Sequence, residues 1–212
     1  FDFDAGGTVI ETRVLTRALA FDPPVYVGSD PGYTAGAAAY PSNWTPLPPN
    51  EDVRFEILWE RTLGENLSYW NGIGLPVFGP PPDGEVLVID QNGCVSCAQA
   101  FAAGGQVDVP GFVLGRTDAS GSLHRHHDYF LLGDLALSDA PVPGVYLVAL
   151  RARAGTLDWT PPFFLLLGAG ATPAQLEAAR VWVEANLVLP ACSDGTDNDG
   201  DGAVDRFGGP DG

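Results

Sequence analysis

Short stretches of alternating apolar and polar side chains, separated by proline and glycine, constrain the fold of this chain most. In the clearest stretch, Asp52–Glu60, the alternate apolar residues are expected to face inward: Val53, Phe55, Ile57 and Trp59. A side-chain period of two is that of a half-buried β-strand. Because 27 glycines and 19 prolines punctuate the chain, the pattern predicts many short strands joined by turns.

We predict a mainly-β fold, an antiparallel β-sandwich of the jelly-roll or immunoglobulin-like type with about seven or eight strands. The predicted strands are Thr8–Leu19, Asp52–Glu60, Glu85–Asp90, Gln106–Leu114, Ser122–Asp134, Val145–Ala154 and Trp159–Leu167. Pro110-Gly111 interrupts the fourth of these strands, which indicates an edge strand or a bulge. Residues 21–50, rich in proline, glycine and aromatic residues, are predicted to be a long packed loop.

One short helix is predicted near the C-terminus. Thr172 can cap it, Pro173 suits its first position, and Gln175 completes a capping box. Apolar residues then recur at helical spacing: Leu176, Ala179, Val183 and Leu187. We therefore expect two parts, a sandwich domain with its helix over residues 1–190 and a tail over residues 191–212.

The charge of the chain excludes several classes of partner. A formal net charge of −17 disfavours nucleic acid and anionic membrane surfaces. No apolar run approaches the roughly 20 residues that a membrane-spanning helix needs.

The chain has no methionine, and we expect Phe1 to be a mature N-terminus left by removal of a signal peptide. These features predict an extracellular or cell-surface protein.

An aspartate-rich segment in residues 191–212 has the spacing of a calcium loop. From Asp197 it reads D-x-D-x-D-G-x-x-D, which supplies hard oxygen ligands with a glycine at the sharp turn. The predicted calcium ligands are Asp194, Asp197, Asp199, Asp201, the carbonyl of Ala203, and Asp205. The segment resembles the calcium loops of dockerins and thrombospondin type 3 repeats. The alternative is a disordered acidic tail.

All three histidines of the chain lie in the stretch Ser122–Asp134. If this stretch is a strand, His124 and His126 share one face and His127 points to the other. Two imidazoles on one face can bind Zn²⁺ or Cu²⁺, with Asp128 as a third ligand. The alternative is a strand with polar side chains in water.

The three cysteines leave several pairings open. In a secreted protein Cys94 and Cys97 can close a small disulfide loop, and they can also bind zinc together with a histidine. A thioredoxin-like redox site is disfavoured, because no βαβ pattern surrounds this CxxC. Cys192 then requires a partner elsewhere or stays a free thiol.

Several motifs together resemble zinc-regulated (Zur-repressed) bacterial surface proteins of the PEP-CTERM type. The resemblance rests on His124-Arg125-His126, Pro143–Leu150, Pro162–Leu165, the helix Thr172–Leu187 and the loop Asp30–Tyr33. It implies a secreted, non-enzymatic, histidine-rich β-sandwich that binds metal. The chain departs from the family in beginning with Phe1 rather than histidine and in carrying the CxxC and the aspartate-rich segment.

We predict a binding or structural protein rather than an enzyme, because the chain has no G-x-S-x-G, H-E-x-x-H or phosphate-loop motif. The leading hypothesis is a calcium-stabilised surface protein whose partners are copies of itself in a filament or lattice. Strand addition by an N-terminal arm, made of Phe1, Asp2, Phe3 and Asp4, is the expected mechanism. The alternatives are zinc or copper binding by the histidine strand, and glycan binding on aromatic platforms: Tyr33, Tyr40, Trp44 or Trp70.

Overall fold

The computed structural model describes residues 13–29, 31–35, 47–91 and 99–188, and the backbone alone of residues 2–3 and 9–10. The strands are β1 Asp2–Phe3, β2 Val9–Ile10, β3 Val14–Asp22, β4 Val25–Gly28, β5 Tyr33–Ala35, β6 Asp52–Leu58, β7 Ser68–Trp70, β8 Val86–Asp90, β9 Gln99–Ala102, β10 Val109–Arg116, β11 Leu123–Arg125, β12 Asp128–Leu132, β13 Gly144–Ala154 and β14 Phe163–Ala169. The helix α1 spans Pro173–Asn186.

Ten strands form one large sheet in the order β10-β6-β13-β14-β3-β4-β12-β8-β9, with β7 also paired to β13. Every ladder in this sheet is antiparallel except the parallel pair β14–β3. The sheet is nearly closed into a barrel, with its two end strands β9 and β10 close together. The predicted mainly-β class with one short helix is confirmed.

The predicted sandwich is not confirmed, and the reason lies in β3. This strand pairs with β14 through Val14–Leu19 and then with β4 through Ala20–Asp22. A strand that changes partner along its length makes a corner between two groups of strands. The two groups are thereby joined into one curved sheet, and an alternation pattern does not reveal which partners a strand will take.

The interior of the curved sheet is the main core. Val53, Phe55 and Ile57 of β6 point inward and are buried, as their alternation predicts. Residues of β8, β12, β13 and β14 complete this core, among them Leu131 and Leu165. Side chains of alternating orientation from both groups of strands therefore fill the inside of the near-barrel, as expected for a closed sheet of this kind.

A second core lies between the outer face of the sheet and α1. Leu176, Ala179 and Val183 of the helix are buried there. The predicted capping box is present, since Thr172 accepts from the Gln175 backbone N–H and the Gln175 side chain binds back to the Thr172 N–H. The helix prediction is thus confirmed, because its start and its apolar face depend on local sequence alone.

Two other predictions about strands have definite outcomes. Residues 21–50 are not a plain loop, since they include β4 and β5. The register of β10 against β6 shifts between Pro110 and Val113, which confirms the predicted irregularity. The backbone of Asp2–Phe3 pairs with Val9–Ile10 of the same chain.

Candidate functional site

The histidine stretch is two strands rather than the one predicted. β11 ends at Arg125 and pairs with β5, whereas β12 begins at Asp128 and pairs with β4 and β8. The chain passes from one sheet to the other at His126 and His127. The predicted facing nevertheless holds, because His124 and His126 meet at the surface and His127 is buried.

His124 and His126 form a close imidazole pair. Their Nε2 atoms are 3.0 Å apart, and the two rings lie nearly edge to face, at 73°. A metal ion at the usual distance of about 2.0–2.1 Å from each nitrogen would have an N–metal–N angle of about 90°. The pair therefore has the spacing of two adjacent ligands of one cation.

The other nitrogen of each ring has a protein partner. His126 Nδ1 lies 3.3 Å from the Ser29 carbonyl oxygen, and His124 Nδ1 lies 2.9 Å from Thr34 Oγ1. A carbonyl oxygen can only accept a hydrogen bond, so His126 Nδ1 carries the hydrogen in this contact. In that tautomer the Nε2 atom of His126 presents a lone pair. Two Nε2 atoms at this distance need a hydrogen or a cation between them. Since a threonine hydroxyl can donate or accept, Thr34 is compatible with either state.

The backbone at Gly32 packs directly against the His126 ring. A Cβ at residue 32 would lie 2.9 Å from His126 Nδ1 and 2.6 Å from the Arg125 carbonyl oxygen. Only glycine allows the β4–β5 loop to approach this closely. Sequence reasoning did not identify Ser29, Gly32 or Thr34 as site residues, although the loop Asp30–Tyr33 was singled out by resemblance.

The predicted third ligand is not grouped with this pair. Asp128 belongs to β12, where it lies opposite Asp90 of β8. In the described ranges, no three or more His, Cys, Asp or Glu side chains are close enough together to hold a metal ion. Among the described residues, His124 and His126 are therefore the two side chains placed to bind one cation at this position.

His127 lies one residue away in a different environment. It is 1% exposed and is surrounded by aromatic rings, with Tyr33 at 5.1 Å, Phe112 at 5.7 Å and Phe55 at 5.9 Å between ring centroids. Within the part of the chain that is described, neither ring nitrogen forms a well-aligned hydrogen bond, although the Asp90 backbone lies close enough to act on the ring. Burial lowers the pKa of His127 to about 4, although the Asp90 backbone acts in the opposite direction. The ring is thus neutral at pH 7.

Many predicted site residues lie outside the described residues. These are Phe1 and Asp4 of the arm, Cys94, Cys97 and Cys192, the aromatic residues Tyr40 and Trp44, and the predicted calcium ligands Asp194, Asp197, Asp199, Asp201, Ala203 and Asp205. Two predicted sugar platforms are described. Trp70 is only 3% exposed and packs near Phe78, and Tyr33 packs against His127 and Phe163. Trp70 therefore does not present a ring face to solvent.

Comparison with known proteins gives no assignment: the chain matches none of the protein-family models with which it was compared, and no curated protein sequence is significantly similar to it. Among the described residues, no helix is both long enough and apolar enough to cross a membrane.

Proposed function

We propose that this chain is a non-enzymatic, extracellular β-protein that binds a transition-metal cation, Zn²⁺ or Cu²⁺, between His124 and His126. One observation carries the proposal, the 3.0 Å separation of the two Nε2 atoms. Imidazole nitrogen is a preferred ligand of both metals. The Nδ1 partners Ser29 and Thr34 hold the rings in place, as outer partners of metal-binding histidines usually do.

With His124 and His126 as its ligands from the described part of the chain, the proposed site is suited to reversible binding. A structural zinc site is closed by four protein ligands, whereas an open site keeps positions for exchangeable ones. The pair is also accessible, since His124 is exposed and His126 half-buried. The net charge of −17 raises the local concentration of cations around the molecule. These features suit capture and release of a metal at the surface.

Titration calorimetry of the untagged protein with Zn²⁺ and with Cu²⁺ tests the proposal. Excess Ca²⁺ in the buffer competes for the predicted calcium ligands of the aspartate-rich segment, so that the heat reports on other sites. We expect one transition-metal site, with affinity lowered more than about 100-fold in His124→Ala and in His126→Ala. Arg125→Ala, which changes the residue between them, is the matched control. Unchanged affinity in the double histidine variant would exclude the proposal.

A second candidate function, calcium-stabilised self-association into a surface assembly, is favoured by a separate observation. Ile73, Leu75 and Val77 are 77%, 85% and 75% exposed on the loop between β7 and β8. The loop is tied to the helix, because Gln175 Nε2 donates to the Gly72 carbonyl at 3.0 Å. Clustered exposed apolar side chains on an anchored loop are typical of a protein contact, and the proposed partner is a second copy of this chain.

Light scattering coupled to size-exclusion chromatography tests this second candidate, with Ca²⁺ and with a chelator. We expect oligomers in Ca²⁺, and a shift towards monomer in Leu75→Ser. Leu135→Ser is the matched control, because Leu135 is 66% exposed on a different loop. A protein that is monomeric at all concentrations and in both buffers contradicts self-association and leaves the metal proposal standing.

A further inference from the structure

Two neighbouring cross-strand pairs on the outer face of the β6–β13 ladder differ in charge. One pair joins opposite charges, and the other joins like charges. Arg151 lies across from Glu56, and the two form an ion pair. Two residues along the same face, Arg153 lies directly across from Arg54. Like charges in directly opposed positions destabilise a sheet, whereas opposite charges stabilise it. The Arg153–Arg54 pair is therefore electrostatically unfavourable, whereas the Arg151–Glu56 pair is favourable.

A third arginine, from β10, lies beside this like-charged pair. Arg116 is across from Asp52, and its Nε donates to the Asn50 carbonyl at 2.7 Å. Arg54 and Asp52 are 3.7 Å apart in a loose, exposed ion pair. Neither Arg116 nor Arg153 forms an ion pair with any described residue. The guanidinium of Arg153 instead lies over the Trp159 ring, 4.6 Å from its centroid.

These arginines surround a surface cavity of about 350 Å³, which is also lined by Glu51, Asp52 and Thr156. Three of the ten basic residues in a chain of net charge −17 thus face one cavity. Guanidinium groups match carboxylate and sulfate oxyanions. The two carboxylates in the wall oppose a second negative charge, but they can accept hydrogen bonds from hydroxyl groups.

We propose that this cavity binds a sugar acid, a hydroxylated ligand with one carboxylate or sulfate group. Arg54 and Arg153 hold the oxyanion between them, and Arg116 lies at the adjacent wall. The carboxylates of Glu51 and Asp52 accept hydrogen bonds from the ligand's hydroxyl groups. The ligand's negative charge offsets the repulsion between Arg54 and Arg153, which gives a physical reason for the presence of both arginines at opposed positions. The site is on a different surface element from the histidine pair and does not depend on metal binding.

Titration with glucuronate, glucose 6-sulfate and glucose, followed by arginine side-chain NMR, tests this proposal. We expect saturable shifts of Arg54 and Arg153 signals with at least one charged sugar and none with glucose. Comparison of glucuronate with glucose 6-sulfate identifies whether the site prefers a carboxylate or a sulfate group. Arg54→Gln and Arg153→Gln should each weaken binding by about tenfold or more. The proposal is overturned if neither charged sugar saturates, or if glucose binds as well as they do.

Thermal unfolding without ligand separates a binding role from a structural one. Arg54→Gln removes the repulsion together with only a loose, exposed ion pair to Asp52, and it should raise the unfolding midpoint. Arg153→Gln also loses the contact of its guanidinium with the Trp159 ring, so its midpoint should change less. Arg151→Gln, the matched control, breaks the ion pair with Glu56 and a similar contact with Trp159, and it should lower the midpoint while leaving affinity for the sugar acid within about twofold. If Arg153→Gln lowers the midpoint and keeps full affinity, Arg153 is structural and the proposed site is wrong.

Discussion

The outer histidine pair and His127 are adjacent in sequence and opposite in chemistry. His124 and His126 lie at the surface with their Nε2 atoms 3.0 Å apart, and their Nδ1 atoms contact neighbouring strands and loops. His127 is enclosed by aromatic rings and forms no well-aligned hydrogen bond with the described residues. The same type of side chain thus has the spacing of cation ligands in the exposed pair, whereas burial keeps it neutral at His127. Environment, rather than residue type, decides which role each histidine has.

The largest expected effect concerns the inner histidine and pH. The pKa of His127 is lowered to about 4 in the folded protein, so the unfolded chain takes up its proton first as the pH falls. Stability from this group is therefore full above the unfolded pKa near 6.5, and about 3 kcal/mol is lost as the pH falls towards 4. His127→Phe, which keeps an aromatic ring in the site, should flatten this loss. Urea unfolding between pH 4 and pH 8 measures it.

The control for this prediction is His124→Phe, which changes an exposed ring and should leave the pH dependence of the free energy of unfolding nearly unchanged. An equal flattening in both variants would mean that burial of His127 is not its cause.

A smaller effect is expected at the loop that fixes the outer pair. In Gly32→Ala the new methyl group must displace the His126 ring or the Arg125 carbonyl, because it would lie within 3 Å of both. We expect Zn²⁺ affinity to fall by several tens of fold, although both ligands remain. Calorimetry with Zn²⁺ measures the affinity, and far-ultraviolet circular dichroism checks that the fold is kept. Full affinity in this variant would show that the ring position is unimportant for binding.

The smallest expected effect is at the hydroxyl behind His124. Thr34→Val keeps the shape of the side chain but removes the oxygen 2.9 Å from His124 Nδ1. The affinity for Zn²⁺ should fall by about tenfold, near the lower end for an outer partner of a ligand, because this partner is neutral. Thr34→Ser retains the hydroxyl and should recover most of the affinity. If valine binds as tightly as serine, this hydrogen bond does not orient the ring.

Local patterns predicted the parts of the structure that depend on near neighbours. The capping box at Thr172 and Gln175 and the inward face of β6 follow from short-range spacing, and both are confirmed. The opposite facing of His126 and His127 was expected from a strand period and is present, although both residues lie between β11 and β12. Spacing alone did not show that the histidine stretch divides into β11 and β12, because that division depends on which strands pair.

The parts that could not be predicted depend on distant contacts. Ser29, Gly32 and Thr34 meet the histidines only because β5 pairs with β11, roughly 90 residues further along the chain. The corner in β3 likewise depends on partners from both ends of the chain. Arg54 and Arg153 are brought opposite each other by the register of β6 against β13. No local sequence pattern specifies that register.

Long-range ¹H–¹⁵N NMR of histidine side chains tests the central comparison most directly, since the untagged chain has only three histidines. On addition of Zn²⁺, two spin systems, assigned by His124→Ala and His126→Ala, should show metal coordination at Nε2 with the hydrogen retained at Nδ1. The third, His127, should stay neutral and unmoved until the pH approaches 4. Absence of any Nε2 shift with Zn²⁺, or a shift confined to His127, would contradict the account.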